Sequence, residues 1–420
     1  MKTAGIESLS VFPGLTMIDA MQLTEHRGLS RERMSKLMMQ GKSVAMPYED
    51  PITFAVNAAK PIVDALSDKE RSSIEMLITC TESGIDFEKS LSTYVHHYLG
   101  LNRSCRLFEI KQACYSGTAG VQTAINFILS QASPGARALV IATDIFWYGT
   151  ADCNALLGKD LRYHEPCTGE GAVAILISEN PHVFKIDKGA NGYYGFEVMD
   201  AFRPIPDMYA GDTDLSLMTY LDCCETSYRS YIQKLPGTDY QQTFDYLSFH
   251  TPFGAMAKGT HRMMMRKFTQ CNTMDIDIDF IKRVYPGLVY CMQVGNMMSG
   301  MLYLSLASTI EHSEISGESR VGCFSYGSGC CSEFYSGTFN HESKAALKKF
   351  SIDKRISDRH SLTNAEFDIV TNGMNTIKFG TRILSPDTQI VPGAWELAKR
   401  NGYLYLKEIS DYHRKYAWSN

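Results

Sequence analysis

The sequence predicts an α/β fold made of two similar halves, and three observations carry the prediction. Apolar runs of strand length alternate with segments of helical spacing, the pattern restarts near the middle of the chain, and no low-complexity linker intervenes. The 420 residues are 44% hydrophobic and 21% charged, enough to build a large core.

In the first half, DPITFAVNAAKPIVDAL (50–66) has helical spacing and IEMLITC (74–80) is an apolar run of strand length. SLSTYVHHYLGL (90–101) reads as helix and RLFEI (106–110) as strand. GVQTAINFILSQ (120–131) makes the next helix, and ARALVIATD (136–144) and GAVAILIS (171–178) are buried strands. Residues 180–243 read as a turn-rich connection, with ANGYYG and FRPIPD. The second half opens on FDYLSFHT (244–251), a strand leading into the helix PFGAMAKGTHRMMMRKFT. GNMMSGMLYLSLASTI (295–310) is a helix opening on small residues, and RVGCFSYGSG (320–329) is a strand running into a glycine-rich turn. From about residue 340 the chain is more charged. The organisation expected is a half at 1–179, a half at 180–340, and an extension at 341–420 packed on the same unit.

A formal net charge of −5 gives no electrostatic reason to expect nucleic acid as a partner. No run of eighteen apolar residues occurs, and MKTAGIESLSVFPG lacks the basic and apolar regions of a signal peptide, so a cytoplasmic location without membrane insertion is expected. None of the twelve cysteines forms C-x-x-C and none of the eleven histidines forms H-E-x-x-H, so no metal site is expected.

In EIKQACYSGTAG, Cys114 sits where a strand gives way to a small-residue helix. The positive end of that helix favours a thiolate and lowers the thiol pKa, Gly117 and Gly120 permit close backbone approach at the turn, and the Cys114 N–H can face an oxyanion on its own thioester. Taken alone, the segment favours a buried, inert cysteine at a tight strand-to-helix corner. Three more residues stand at comparable positions: Glu82 after the strand ITC, His250 at the end of YLSFH, and Asn296 at the opening of a helix. Singly they fit a helix cap, a satisfied core histidine and another cap; jointly they fit a nucleophile with an acid–base partner. The turn after FS, containing Tyr326, Gly327 and Ser328, offers backbone amides to a substrate oxygen.

These residues carry a family resemblance. TES at Glu82, ACYSGT at Cys114, FHTPF at His250, VGNM at Asn296 and FSYGSG at 324–329 stand in the order found in 3-hydroxy-3-methylglutaryl-CoA synthases of the thiolase superfamily. GEGAVAILI, MDAFRP and the closing YLYLKEISDYHRKYAW extend the match over nearly the whole chain. KQACYSGTAG, ANGYYGFEVMD, YLDCCE and GCCSEFYSG resemble the bacterial branch that serves polyketide β-branching, of the curacin-pathway type. The segment at 145–167 departs from members that use CoA.

The resemblance implies a five-layered αβαβα thiolase-like fold, a homodimer, and acyl groups delivered on the phosphopantetheine of acyl carrier proteins (ACPs), with no other cofactor. It implies that Cys114 takes acetyl from a donor acetyl-ACP and that Glu82 deprotonates the acetyl methyl. The enolate then adds to the ketone of a β-ketoacyl-ACP placed by His250 and Asn296, Glu82 returns the proton, and water frees the Cys114 thioester. Lys258, Arg262 and Arg266 recur every four residues after His250, and Arg27, Arg31, Arg33 and Lys36 form a second cluster. Either basic face fits an acidic ACP, and either fits a solvated surface. The competing activities are a CoA-dependent synthase of primary metabolism, a decarboxylating ketosynthase, which a proton-abstracting Glu82 disfavours, and a non-catalytic docking module.

Overall fold

Strands with one residue in two facing each side of a sheet need a core on both faces, and the chain supplies three. A computed structural model of the chain describes residues 2–146 and 162–420. Most of the segment at 145–167 singled out above therefore lies outside the described residues.

Nine strands form one sheet: β1 (Gly5–Phe12), β2 (Ile74–Cys80), β3 (Arg106–Ile110), β4 (Arg137–Asp144), β5 (Gly171–Ser178), β6 (Phe184–Gly195), β7 (Tyr246–Phe249), β8 (Ser319–Gly327) and β9 (Cys331–Phe339). Their spatial order is β7-β8-β9-β6-β1-β5-β4-β2-β3. The duplication is visible in the pairing. β2 runs parallel to β4, and β4, β5 and β1 alternate direction; β7 runs parallel to β8, and β8, β9 and β6 alternate likewise. The two halves meet where β1 pairs with β6, Ile6 opposite Phe184. β3 is the added edge of the first half.

Six helices matter for the site: α1 (Pro51–Asp64), α2 (Ser116–Ser130), α3 (Thr213–Lys234), α4 (Gly254–Phe268), α5 (Thr273–Arg283) and α6 (Met301–His312). On β4, Leu139 and Ile141 face one core with Phe54 of α1, while Ala138 and Val140 face another with Val121 of α2 and Leu306 of α6. A third core sets Tyr220 and Tyr228 of α3 and Met264 of α4 against Leu247, Phe324 and Phe334. Each such side chain contributes roughly 1.5–3 kcal/mol on burial. The two halves of the sheet make two layers, and the order is helices outside, half-sheet, central α2 and α6, half-sheet, helices outside: the five layers of a thiolase fold.

Three expectations need correction. Residues 180–243 are not a turn-rich connection: ANGYYG lies within the twelve-residue strand β6, and α3 follows. Gly192 is there for close packing, since a Cβ would stand 2.2 Å from the Ser227 carbonyl oxygen of α3. The helix expected from 295 begins at Met301, because Met298–Gly300 forms a tighter 3-10 turn first. Gly117 and Gly120 act inside α2 rather than at its turn: a Cβ on either would collide with the Ser299 carbonyl oxygen or with Cys80 Sγ.

The last eighty residues pack on the first half, with Leu362, Phe367, Val391, Leu404 and Leu406 in its outer core. Asp50, which caps α1, accepts from Arg414 Nη1 at 2.9 Å and Tyr416 OH at 2.6 Å, so the closing strands are locked to that helix. Among the described residues no helix is long and apolar enough to cross a membrane.

Candidate active site

Cys114 stands four residues beyond the end of β3 and two before α2. Its neighbour Ala113 has φ 44°, a left-handed conformation that costs a residue with a Cβ about 1–2 kcal/mol. The turn is held in that shape from across the fold. Gly327 at the end of β8 lies so close that a Cβ would stand 2.5 Å from both the Gln112 carbonyl oxygen and the Tyr115 nitrogen. Thr118 Oγ1 donates to Ser325 Oγ at 2.8 Å, and Gln112 Nε2 reaches the Ser328 carbonyl oxygen at 3.5 Å. The Tyr326–Ser328 turn and the Cys114 turn are thus one packed unit. Tyr326 is tied down by a hydrogen bond from its hydroxyl to Asp200, whose other oxygen accepts from Gly329 N at 2.9 Å.

Glu82 follows β2 and is positioned by a residue that sequence reasoning missed. Asp144, fully buried at the end of β4, accepts from Thr81 Oγ1, Glu82 N and Ser83 Oγ, each at 2.8 Å, on one oxygen. Its other oxygen accepts from Ser299 N at 3.0 Å and from Ser299 Oγ. One carboxylate therefore fixes the Glu82 loop and the turn after Asn296 together. The signal available was a charged residue closing the buried run ALVIATD. Burial raises the Glu82 carboxyl to about 7, with Asp144 adding to the rise and Arg203 opposing it.

His250 is buried beyond β7, its backbone N–H bonded to the Phe324 carbonyl at 2.8 Å and its own carbonyl to Tyr220 OH at 2.5 Å. Its Nδ1 is buried without a partner, and burial lowers the imidazole to about 3, so the ring is neutral at physiological pH. Asn296 Oδ1 accepts from Met298 N at 3.1 Å, an arrangement that leaves its NH₂ group to a ligand.

The thiol itself departs from expectation. The helix end was expected to lower its pKa; burial, with the charges of Glu82, Asp144 and Asp200, raises it well above the ordinary value. Burial, joined by three carboxylates, outweighs half a charge at a helix end. Cys114 rests as a thiol, so its attack must be coupled to proton transfer.

The basic faces are largely neutralised within the chain. Asp277 of α5 pairs with Arg262 at 3.0 Å and Lys258 at 3.8 Å, and Lys258 also lies over the Phe280 ring. Arg27 binds Glu165, Arg31 binds Glu25, and Lys36 binds Glu32. Arg33 stacks on the Tyr163 ring at 4.3 Å. Arg266 is exposed with no ion-pair partner among the described residues. No cluster of three His, Cys, Asp or Glu side chains able to hold a metal occurs among them.

Fold and site define the class: a thiolase-fold chain with Glu82 and Cys114 on the loops after β2 and β3 of one half and His250 after β7 of the other. Residues 1–182 match the hydroxymethylglutaryl-coenzyme A synthase N-terminal family model and 271–419 the C-terminal one. The chain is 56% identical over 418 residues, 100% of both sequences, to the polyketide biosynthesis 3-hydroxy-3-methylglutaryl-ACP synthase PksG of Bacillus subtilis. Against the hydroxymethylglutaryl-CoA synthase of Enterococcus faecalis the identity is 31%, over 87% of this chain and 91% of the relative. The crystal structure of the curacin biosynthetic pathway HMG synthase, also solved with acetyl donor-ACP, superposes with a TM-score of 0.95 at 53% identity, covering 99% of this chain and 100% of that one. The chain belongs to the hydroxymethylglutaryl-CoA synthase family.

Proposed function

We propose that this chain is the condensing acyltransferase of polyketide β-branching, working on carrier-bound acyl groups in the cytoplasm. The observation that carries the chemistry is Glu82, a carboxyl held at about 7 within electrostatic reach of the Cys114 thiol. Cys114 Sγ attacks the donor acetyl thioester, forming a new thioester and releasing the carrier thiol. Glu82 then takes a proton from the acetyl methyl. The resulting enolate is stabilised by backbone N–H groups at Cys114 and Ser328 and adds to the acceptor's ketone. His250 and Asn296 hold the acceptor's thioester region, Glu82 protonates the alkoxide, and water hydrolyses the Cys114 thioester to a carboxylate.

Delivery by ACP rather than CoA is supported by the gap between 56% identity to an ACP-dependent relative and 31% to a CoA-dependent one. The intact protein mixed with acetyl-ACP or with acetyl-CoA should gain one acetyl mass on Cys114 much faster from ACP. Equal rates from both would return the chain to CoA chemistry, and no adduct from either would make it a docking module.

Arg33, Lys258, Arg262 and Arg266 are the proposed ACP contacts, with Lys258 and Arg262 also engaged with Asp277 and Arg33 on the Tyr163 ring. Arg266→Glu should slow acetylation from acetyl-ACP about tenfold at low salt and leave acetyl-CoA unaffected. An unchanged ACP rate removes this residue from the contact. The homodimer is supported by β3, whose outer edge pairs with no strand among the described residues and whose Leu107, Phe108 and Ile110 are half-buried.

A further inference from the structure

The MDAFRPIPD motif has no part in the reaction as written, yet it forms a lid on Glu82. Strands Ala201–Ile205 and Met208–Gly211 make a hairpin. Its tip, Pro206 and Asp207, lines one small cavity with Glu82 and Ser83 and, from the C-terminal extension, Lys378 and Arg414. Asp207 accepts from Phe379 N at 3.0 Å, which fastens the hairpin over the site.

Arg203 stands on the first strand of this hairpin. Its guanidinium carbon lies 5.5 Å from the Phe146 ring centre and 6.0 Å from that of Tyr209, and Tyr209 senses the charges of both Glu82 and Cys114. Nη1 makes a long bond of 3.5 Å to the Pro206 carbonyl. Among the described residues Nε and Nη2 are buried with no acceptor, and no carboxylate forms an ion pair with the group. Two buried, idle donors on a half-buried cation cost stability, and such groups are rare unless a ligand oxygen completes them.

We propose that Arg203 is a substrate-binding residue of the condensation step, its two idle donors taking the ketone oxygen of the acceptor chain beside Glu82. The inference rests on Glu82 as the acid–base residue. As the enolate carbon bonds to the ketone carbon, the C=O π pair moves onto oxygen; the guanidinium holds that alkoxide until protonated Glu82 gives up its proton. Arginine loses no proton in the cycle. The same charge favours ionised Glu82 against the groups that otherwise face it, which are Asp144, Cys114, Tyr209 and Asp207, with Lys378 and Arg414 across the cavity.

The test compares Arg203→Gln and Arg203→Lys, following Cys114 acetylation by mass and condensation with a β-ketoacyl-ACP at varied pH. Arg203→Gln should acetylate normally, lose about a hundredfold in condensation efficiency with weaker acceptor saturation, and move the acid limb of the pH profile up by about one unit. Arg203→Lys should return the limb to its place but keep about a tenfold deficit, since an ammonium cannot present the planar fork. Wild-type condensation by the Gln variant overturns the proposal. So does a moved limb with unaltered acceptor saturation, which makes Arg203 act only through Glu82, or loss of acetylation in both variants, which makes it scaffold. A Glu82→Gln chain run alongside separates the two readings: normal condensation there sinks the role of Glu82 and leaves the Arg203 contact to be judged on its own data.

Discussion

Glu82→Gln is expected to load acetyl onto Cys114 and stop there, with condensation reduced by about a thousandfold. The amide keeps the size of the side chain and leaves the backbone bond from Glu82 N to Asp144 at 2.8 Å in place. What disappears is the group that removes the methyl proton and returns one to the alkoxide. The wild-type pH profile follows from the same carboxyl. Only its ionised form abstracts a proton, and burial has raised it to about 7, so condensation should fall tenfold per unit below that pH and level off above it. His250, lowered to about 3, adds no limb in this range. Intact-protein mass spectrometry reads acetylation, and loss of the adduct on adding β-ketoacyl-ACP reads condensation. Normal turnover by Glu82→Gln would falsify the assignment.

What the sequence disclosed, and what it hid, divides along one line. Strands such as IEMLITC and ALVIATD were legible because burial on both faces demands unbroken apolar runs, and the structure places them at 74–80 and 137–144. Cys114, Glu82 and His250 were legible as reactive residue types at strand ends. Properties that depend on distant partners were not. β6 reads as turns because Gly192 is selected by the backbone of α3, some thirty-five residues away. The thiol's shift has the opposite sign to the one its helix implies, because the fold buries it and brings Glu82, Asp144 and Asp200 to it from three other segments. Arg203 looks like an ordinary surface cation until the hairpin folds it under Phe146 and Tyr209. The C-terminal extension, silent in the sequence, supplies Lys378 and Arg414 to the wall beside Glu82.

Asp144 gives the second large effect, and its sign opposes that of Arg203. Its two oxygens accept five hydrogen bonds, two of them from backbone N–H groups at Glu82 and Ser299. In Asp144→Asn one oxygen becomes an NH₂ group. The hydroxyls of Thr81, Ser83 and Ser299 can turn to accept from it, but a backbone N–H cannot, so at least one buried donor is stranded, at about 1–3 kcal/mol. Asp144→Ala strands both and should lower the unfolding midpoint further. The loss for catalysis is geometric: the Glu82 loop and the turn after Asn296 no longer share an anchor, and a displacement near 1 Å is enough for about a hundredfold. Electrostatics adds a signature that disorder alone would not leave. Asp144 raises the Glu82 carboxyl, so removing its charge should move the acid limb of the remaining activity below pH 7, whereas removing Arg203 moves it above. The double variant should restore the position of the limb without restoring the rate. A limb that stays fixed in Asp144→Asn would mean that these charges do not set the base, and that Glu82 owes its shift to burial alone.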